Sequence, residues 1–315
     1  MKKVLFVTSE VHPLIKTGGL ADVSSGLPKA LQELSQDVRI LVPNYQAIRT
    51  SQDIHFVCTI HVDHRNVNIL ETRLPESDVT VWLVDYPEYF SHPGNPYLDP
   101  QGNPWADSAE RFSLFCRVAV EIAMNRGHLD WEADIVHCND WQSGLVPALL
   151  SLEHSRPASV FTIHNLAYQG LFPSSTFANL RLPAQLWNPG TTGLEFFGML
   201  SFIKGGLGCA DRITTVSPSY ALEIQTPEFG YGLEGLLSHR EEDLSGIING
   251  IDTDHWNPDQ DANIEQNYSA STLVKKKLNK SSLQKQASLP VDEEVTVIGL
   301  IGRLVEQKGI DMVID

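Results

Sequence analysis

The chain has 315 residues, of which 42% are apolar and 20% charged. At about 150 residues per domain that allows two globular domains, and it excludes disordered, collagen-like and small disulfide-held classes. Its 23 Lys and Arg stand against 39 Asp and Glu, for a formal net charge of −16. This balance argues against nucleic acid or an anionic membrane as partner, because binders of phosphate polymers present net positive surface, but it leaves room for a basic pocket that takes one small anion. Cys58, Cys116, Cys138 and Cys209 are far apart and form no CxxC pair, so they read as reduced thiols of a cytoplasmic protein. No apolar run approaches the roughly 18 residues of a membrane span. The apolar stretch 4–7, behind two lysines, is too short for a signal peptide.

In chain order, residues 3–8 read as a fully buried strand. Leu20, Val23, Leu27, Leu31 and Leu34 then recur at helical spacing, and residues 38–42 form the next buried strand. This β–α–β opening predicts a parallel sheet. Residues 54–62, 67–74 and 79–84 are β-rich. A helix is expected over 108–125, a strand over 135–138, a helix over 144–152 and a strand over 159–163. An irregular stretch rich in Pro, Gly and aromatics covers 167–193. Helix over 197–209, strand over 213–216 and helix over 219–224 follow.

Residues 247–252, Ile-Ile-Asn-Gly-Ile-Asp, read as a short strand ending in an Asn-Gly turn. They close a first domain expected over 1–252. Residues 253–294 read as a linker with a helix, whose Lys275, Lys276, Lys277, Lys280 and Lys285 form a solvated face. Residues 295–301 read as a second buried strand, followed by Gly302, Arg303, Leu304 and a helix starting at Gly309. One strand and one helical turn cannot bury a core. Residues 295–315 are therefore expected to be the opening of a second, truncated domain.

Polar residues follow each expected parallel strand: Lys16-Thr17-Gly18-Gly19, Asn44-Tyr45, Asp85-Tyr86, Asn139-Asp140-Trp141, His164-Asn165 and Ser217. In a parallel sheet these share the carboxyl edge, where open α/β folds bind ligands. Gly18 and Gly19 precede a helix start, whose free N–H groups favour an anion, and Lys16 adds a full charge. The pattern is neither GxGxxG nor GxxxxGK[ST], which removes the dinucleotide and Walker readings and leaves a nicotinamide dehydrogenase unsupported. Arg303 and Lys308, flanked by Gly302 and Gly309, are a second basic pair: either the far jaw of a diphosphate clamp or an ordinary exposed loop. His164 is open between general base, sugar ligand and capped loop residue. Tyr97, Trp105 and Trp141 are aromatics that either stack on sugar rings or pack locally. His61 and His64 have HxxH spacing but no carboxylate third ligand, so no metal site is expected.

Together these segments resemble the bacterial glycogen synthase and plant starch synthase family. The resemblance rests on Lys16-Thr17-Gly18-Gly19-Leu20-Ala21-Asp22-Val23, Gly94-Asn95-Pro96-Tyr97, His137-Cys138-Asn139-Asp140-Trp141-Gln142 and Thr162-Ile163-His164-Asn165-Leu166-Ala167-Tyr168-Gln169-Gly170. Further along lie Thr215-Val216-Ser217-Pro218, residues 223–230, Asn249-Gly250-Ile251-Asp252, and Gly302-Arg303-Leu304 with Gln307-Lys308-Gly309. The family resemblance implies an α/β fold of GT-B type, two Rossmann-like domains with the site between them. It implies transfer of glucose from ADP-glucose to the non-reducing end of an α-1,4-glucan such as glycogen, with the α configuration retained and no cofactor or metal.

By the same resemblance Lys16, Gly18 and Gly19 hold the donor's phosphate and glucose, and Asp22 supports their loop. Arg303 and Lys308 neutralise the leaving diphosphate. His164 lies against the transferred glucose, and Asp140, Trp141, Asn165 and Tyr97 line the sugar and acceptor side. Gln142 stands where many members have His, which keeps the helix start and removes a titratable group. The family's second domain carries most of the nucleotide pocket and a catalytic glutamate, neither of which lies in these residues. A glucan synthase represented by its N-terminal part is the expectation, and a non-catalytic glucan-binding fragment is the alternative.

Overall fold

Apolar and β-branched runs that are buried on both faces need neighbours on both sides, and the chain supplies them by winding strands in parallel. The computed structural model describes residues 1–50, 53–302 and 306–314 and divides into two compact units, Met1–Gly250 and Ile251–Asp315. In the first unit, β1 (Lys3–Val7) leads through α1 (Gly19–Glu33) to β2 (Asp37–Pro43). The antiparallel β3 (His55–Val62) and β4 (Arg65–Arg73) precede β5 (Thr80–Asp85). Then come α2 (Pro87–Phe90), α3 (Ser108–Ala123), β6 (Ile135–Asn139), α4 (Leu145–Leu150) and β7 (Ala158–Ile163).

A small sheet follows, built of β8 (Leu171–Pro173), β9 (Glu195–Phe196) and β10 (Met199–Ser201), with α5 (Ser174–Asn179) between β8 and β9. The unit ends with α6 (Phe202–Cys209), β11 (Arg212–Thr215), α7 (Pro218–Glu223), α8 (Glu234–His239) and β12 (Leu244–Gly246).

The main sheet has the order β12-β11-β7-β6-β1-β2-β5-β4-β3. All pairs from β12 to β5 are parallel, so the expected carboxyl edge exists and carries the ends of β1, β2, β5, β6, β7 and β11. Leu5, Phe6, Ile40, Leu41, Leu83, Val136 and Phe161 are fully buried in its centre. β3 and β4 form an antiparallel edge, with His61 Nδ1 2.6 Å from Asn66 Oδ1 in their hairpin. The HxxH spacing there marks a turn, at which His64 has φ 65°.

Four expectations need correction. The last strand is Leu244–Gly246 rather than 247–252; Ile247 donates its N–H to Thr215 O at 2.8 Å, but its side chain and that of Ile248 are exposed. The helix expected from residue 197 begins at Phe202, because residues 195–201 are drawn into the β9–β10 hairpin. The stretch 167–193, expected to be irregular, contains β8 and α5.

The fourth correction lies in the second unit. There α9 (Lys276–Gln286) carries Lys276, Lys277, Lys280 and Lys285, with Lys275 just before its first residue, and α10 (Asp311–Ile314) follows. Residues 295–301, however, form no strand, and Ile298 is 88% exposed. A strand is held by ladder hydrogen bonds to neighbours, and none of the described residues of this unit is in a strand. Apolar composition alone does not make one.

Candidate active site

The chain runs from β1 to β2 on one side and returns to β6 on the other. The carboxyl ends of β1 and β6 thus flank the switch point of the sheet, where a crevice opens. Past β1, Thr8 Oγ accepts the Glu10 N–H at 3.4 Å and donates to Glu10 O at 2.9 Å. This tight turn puts the Glu10 carboxylate, 3% exposed, beneath the Lys16–Gly19 loop. Glu10 Oε2 accepts the N–H groups of Thr17 and, at 3.1 Å, Gly18. Glu10 Oε1 accepts the Tyr97 hydroxyl at 2.6 Å, and Ser9 Oγ lies 2.7 Å from the Tyr97 hydroxyl oxygen. A buried carboxylate with three donors is satisfied, and it ties two remote loops together.

Gly18 is the N-cap of α1 with φ −153°, extended backbone open to any residue. A Cβ at Gly18 or Gly19 would meet nothing within 4 Å. No contact within the chain therefore demands glycine, and the space ahead of the helix start is open. Lys16 is exposed and paired with Asp22, Nζ to Oδ1 2.7 Å.

At the β6 end, Asp140 has φ 53° and ψ −179°, a conformation that costs a non-glycine residue about 1–3 kcal/mol. The turn lets Asp140 Oδ1 accept the N–H groups of His164 at 2.8 Å and Asn165 at 3.4 Å, which clamps the end of β7 to the end of β6. Burial pushes the Asp140 carboxyl up, opposed by His164. Asn139, fully buried, donates from Nδ2 to Val7 O at 3.1 Å and His137 O at 3.4 Å. Its amide is thereby oriented so that Oδ1 accepts from His164 Nε2 at 3.0 Å. This fixes the His164 tautomer, with the proton on Nε2 and the lone pair on Nδ1. Burial also lowers the His164 pKa, so the ring is neutral at neutral pH.

Below it, His137 Nε2 lies 2.6 Å from Thr162 Oγ, itself 2.6 Å from Thr214 Oγ, a polar rung across β6, β7 and β11. Burial pushes the His137 imidazole down to about 3.

The structure brings Lys16, Gly18, Gly19, Asp22 and Tyr97 together through Glu10, and Asp140, His164 and Asn165 together through the Asp140 carboxylate. Trp141 has a packing role. Its ring centroid lies 5.0 Å from that of Phe112, 5.8 Å from Phe172 and 6.1 Å from Phe202. Trp105 stacks on His92 at 4.9 Å and donates to Asn95 O at 3.0 Å, which braces the loop before Tyr97. Gln142 is buried, 6% exposed. Lys308 is an exposed residue of the second unit, and Arg303 lies outside the described residues. Among the described residues, no group of three or more His, Cys, Asp and Glu is arranged to hold a metal ion.

Sequence reasoning missed Glu10 and undervalued Asn139. The signal for Glu10 was its place directly after β1, at the same edge as the residues that were read.

The sequence model of the starch synthase catalytic domain family matches residues 3–239. Among curated relatives, glycogen synthase 1 of Methylococcus capsulatus is 56% identical over 313 residues, 99% of this chain and 63% of that protein. The glycogen synthase of Cellvibrio japonicus is 54% identical over 318 residues, 100% of this chain and 66% of that protein. Among solved structures, the catalytic domain of starch synthase IV from Arabidopsis thaliana, bound to ADP and acarbose, superposes with a TM-score of 0.84 at 31% identity. That match covers 99% of this chain and 64% of the other. The chain therefore spans less than two thirds of the length of these relatives.

Proposed function

The chain belongs to the starch synthase catalytic domain family, and from that premise we propose that it serves a glycogen synthase, moving glucose from ADP-glucose to the non-reducing end of an α-1,4-glucan with retention. The observation that carries the reading is the joining of the Lys16–Gly19 loop, Tyr97, Asp140 and His164 at the sheet's switch point by two buried anchors, Glu10 and Asn139. A nucleotide sugar needs an anion site and a neutral polar site side by side, and this edge offers both.

In this reading the Lys16 ammonium and the free N–H groups at the start of α1 take the donor's phosphate. Lys16, paired with Asp22 at 2.7 Å, exchanges that partner for the diphosphate when the donor binds. His164, neutral and with its Nε2 proton committed to Asn139, offers Nδ1 as an acceptor for a hydroxyl of the transferred glucose. It positions sugar and does not act as an acid. Asp140 holds the His164 and Asn165 backbone in register with β6, and Tyr97 borders the acceptor. By the family resemblance, Arg303 and Lys308 neutralise the departing ADP. The ADP and acarbose named with the Arabidopsis catalytic domain support an adenine nucleotide and an α-glucan as ligands.

We place the protein in the cytoplasm, where glycogen is made. Free Cys58, Cys116, Cys138 and Cys209 fit a reducing compartment. No helix among the described residues is long and apolar enough to cross a membrane.

The test is incorporation of label from radiolabelled ADP-glucose into glycogen by the enzyme as its gene encodes it, with UDP-glucose in parallel. Incorporation from ADP-glucose is expected. No incorporation from either donor, with maltooligosaccharide binding retained, would replace this reading with a non-catalytic glucan-binding protein.

A further inference from the structure

Arg111, near the start of α3, is only 1% exposed and has no part in the chemistry described above. Its Nη1 donates to Pro96 O at 3.3 Å, and its Nε has no acceptor among the described residues. Its surroundings are aromatic. The guanidinium carbon lies 5.7 Å from the ring centroid of Phe90, 5.6 Å from Trp105 and 5.9 Å from Phe112. Burial pulls its pKa down, opposed by Tyr45 and Asp107.

Taking a cation out of water for one long hydrogen bond costs the fold stability, and an apolar side chain of similar volume would fill the same space without that cost. Arginine adds a donor at the end of a flat face on which aromatic rings pack. The bond to Pro96 is what an apolar replacement would lose, so its target shows what the buried charge is for.

Pro96 belongs to the loop 91–107, between α2 and α3. The loop is knit from within. Asn95 Oδ1 accepts the N–H groups of Tyr97 and Leu98, each at 2.8 Å. Trp105 donates its backbone N–H to Tyr97 O at 3.2 Å and its indole N–H to Asn95 O. Leu98 and Pro104 form an antiparallel bridge. A loop bonded in this way holds its shape as a body. Two consecutive residues tie it to the rest of the unit: Arg111 holds the Pro96 carbonyl, and Glu10 holds the Tyr97 hydroxyl. The proline ring sets its own φ and Arg111 restrains its carbonyl. The peptide joining Pro96 to Tyr97 is thereby oriented, and with it the direction in which the tyrosine reaches Glu10.

We propose that Arg111 is a positioning residue of the candidate active site: through Pro96 it sets Tyr97 against Glu10, and through Glu10 it holds the Thr17 and Gly18 backbone at the start of α1. That this backbone receives a donor phosphate rests on the proposed function; the relay from Arg111 to Gly18 rests on the contacts alone.

The test is amide hydrogen exchange of the 315-residue chain, read at Thr17 and Gly18. Arg111→Lys keeps the charge and loses the flat fork, and it is expected to speed exchange at both amides by about fivefold or more while the amides of β6 and β7 keep their protection. Tyr97→Phe should do the same. The double variant should be no faster than Tyr97→Phe alone, because two substitutions on one path do not add. Additive effects, or an Arg111→Lys chain with unchanged exchange at Thr17 and Gly18, overturn the relay. Loss of protection spread evenly over the whole unit assigns Arg111 to general stability and overturns it as well. If Arg111→Lys does not fold, the unsubstituted chain decides in low urea: Thr17, Gly18, Tyr97 and Trp105 should open with one shared free energy, and unequal values overturn the relay. In the enzyme as its gene encodes it, Arg111→Lys should raise KM for ADP-glucose more than it lowers kcat, and only while Tyr97 is present. Absence of incorporation by the unsubstituted enzyme would overturn the proposed function, and the exchange result would still decide the positioning role.

Discussion

The Tyr97 hydroxyl donates to Glu10 Oε1 at 2.6 Å across 87 residues of sequence. The same carboxylate holds the backbone of Thr17 and Gly18, so a residue on the Gly94–Tyr97 loop and the start of α1 share one buried anchor. Burial and the neighbouring Glu10 push the Tyr97 hydroxyl well above its usual range, and it stays a donor at any working pH.

Tyr97→Phe removes this donor and leaves Glu10 Oε1 buried without it. The expected loss is about 1–3 kcal/mol of stability, read from urea unfolding, with a fall of about tenfold in kcat/KM for glucosyl transfer as the Lys16–Gly19 loop loosens. Unchanged values of both would mean that the hydrogen bond does not organise the loop.

Lys16→Ala is expected to cut glucosyl transfer at least tenfold, because one charge-assisted contact to a diphosphate is worth about 1.5–3 kcal/mol. Stability should change by less than about 1 kcal/mol, since Lys16–Asp22 is an exposed ion pair. Lys16→Arg should restore only part of the activity, because a planar fork does not replace a compact ammonium. Wild-type kcat/KM for ADP-glucose in Lys16→Ala would remove the lysine from the donor site.

Acid should destabilise the fold through His137. Its pKa is about 3 when folded and about 6.5 when unfolded. Between these values the unfolded chain binds a proton that the folded chain refuses, so stability declines as pH falls from about 6.5 toward 3, by on the order of 1 kcal/mol per pH unit. His164, also lowered by burial, acts in the same direction, and Asp140, raised by burial, opposes it. His137→Gln should flatten the difference in unfolding free energy between pH 7 and pH 5. An unchanged pH slope in that variant would show that His137 is not the acid-sensitive group.

Gly170→Ala should destabilise the unit by about 1–3 kcal/mol, because Gly170 has φ 60° and a Cβ would sit 2.4 Å from Trp141 Cε3. Trp141→Ala should cost about 3 kcal/mol by emptying the cluster with Phe112, Phe172 and Phe202. Thermal unfolding of both variants tests this. A Trp141→Ala protein of wild-type stability that loses glucan binding would return the indole to a sugar-stacking role.

The sequence by itself determined the elements whose period is strong. The parallel strands near residues 3–8, 38–42, 79–84, 135–138, 159–163 and 213–216 all form, because apolar β-branched runs of that length are stable only inside a sheet. Their order places the polar residues that follow them on one edge, so the position of Lys16, Asp140 and His164 at that edge was legible in the sequence. Only the tertiary structure decided which groups meet there. Glu10 is linked to Tyr97 and Asn139 to His164 by side-chain contacts between distant segments, and no local period encodes such pairs. Tertiary packing also set the half-buried Trp141 ring against Phe112, Phe172 and Phe202. None of the described residues of the second unit is in a strand, so the apolar run 295–301 has no ladder partner among them; burial is a property of the surroundings and not of the segment.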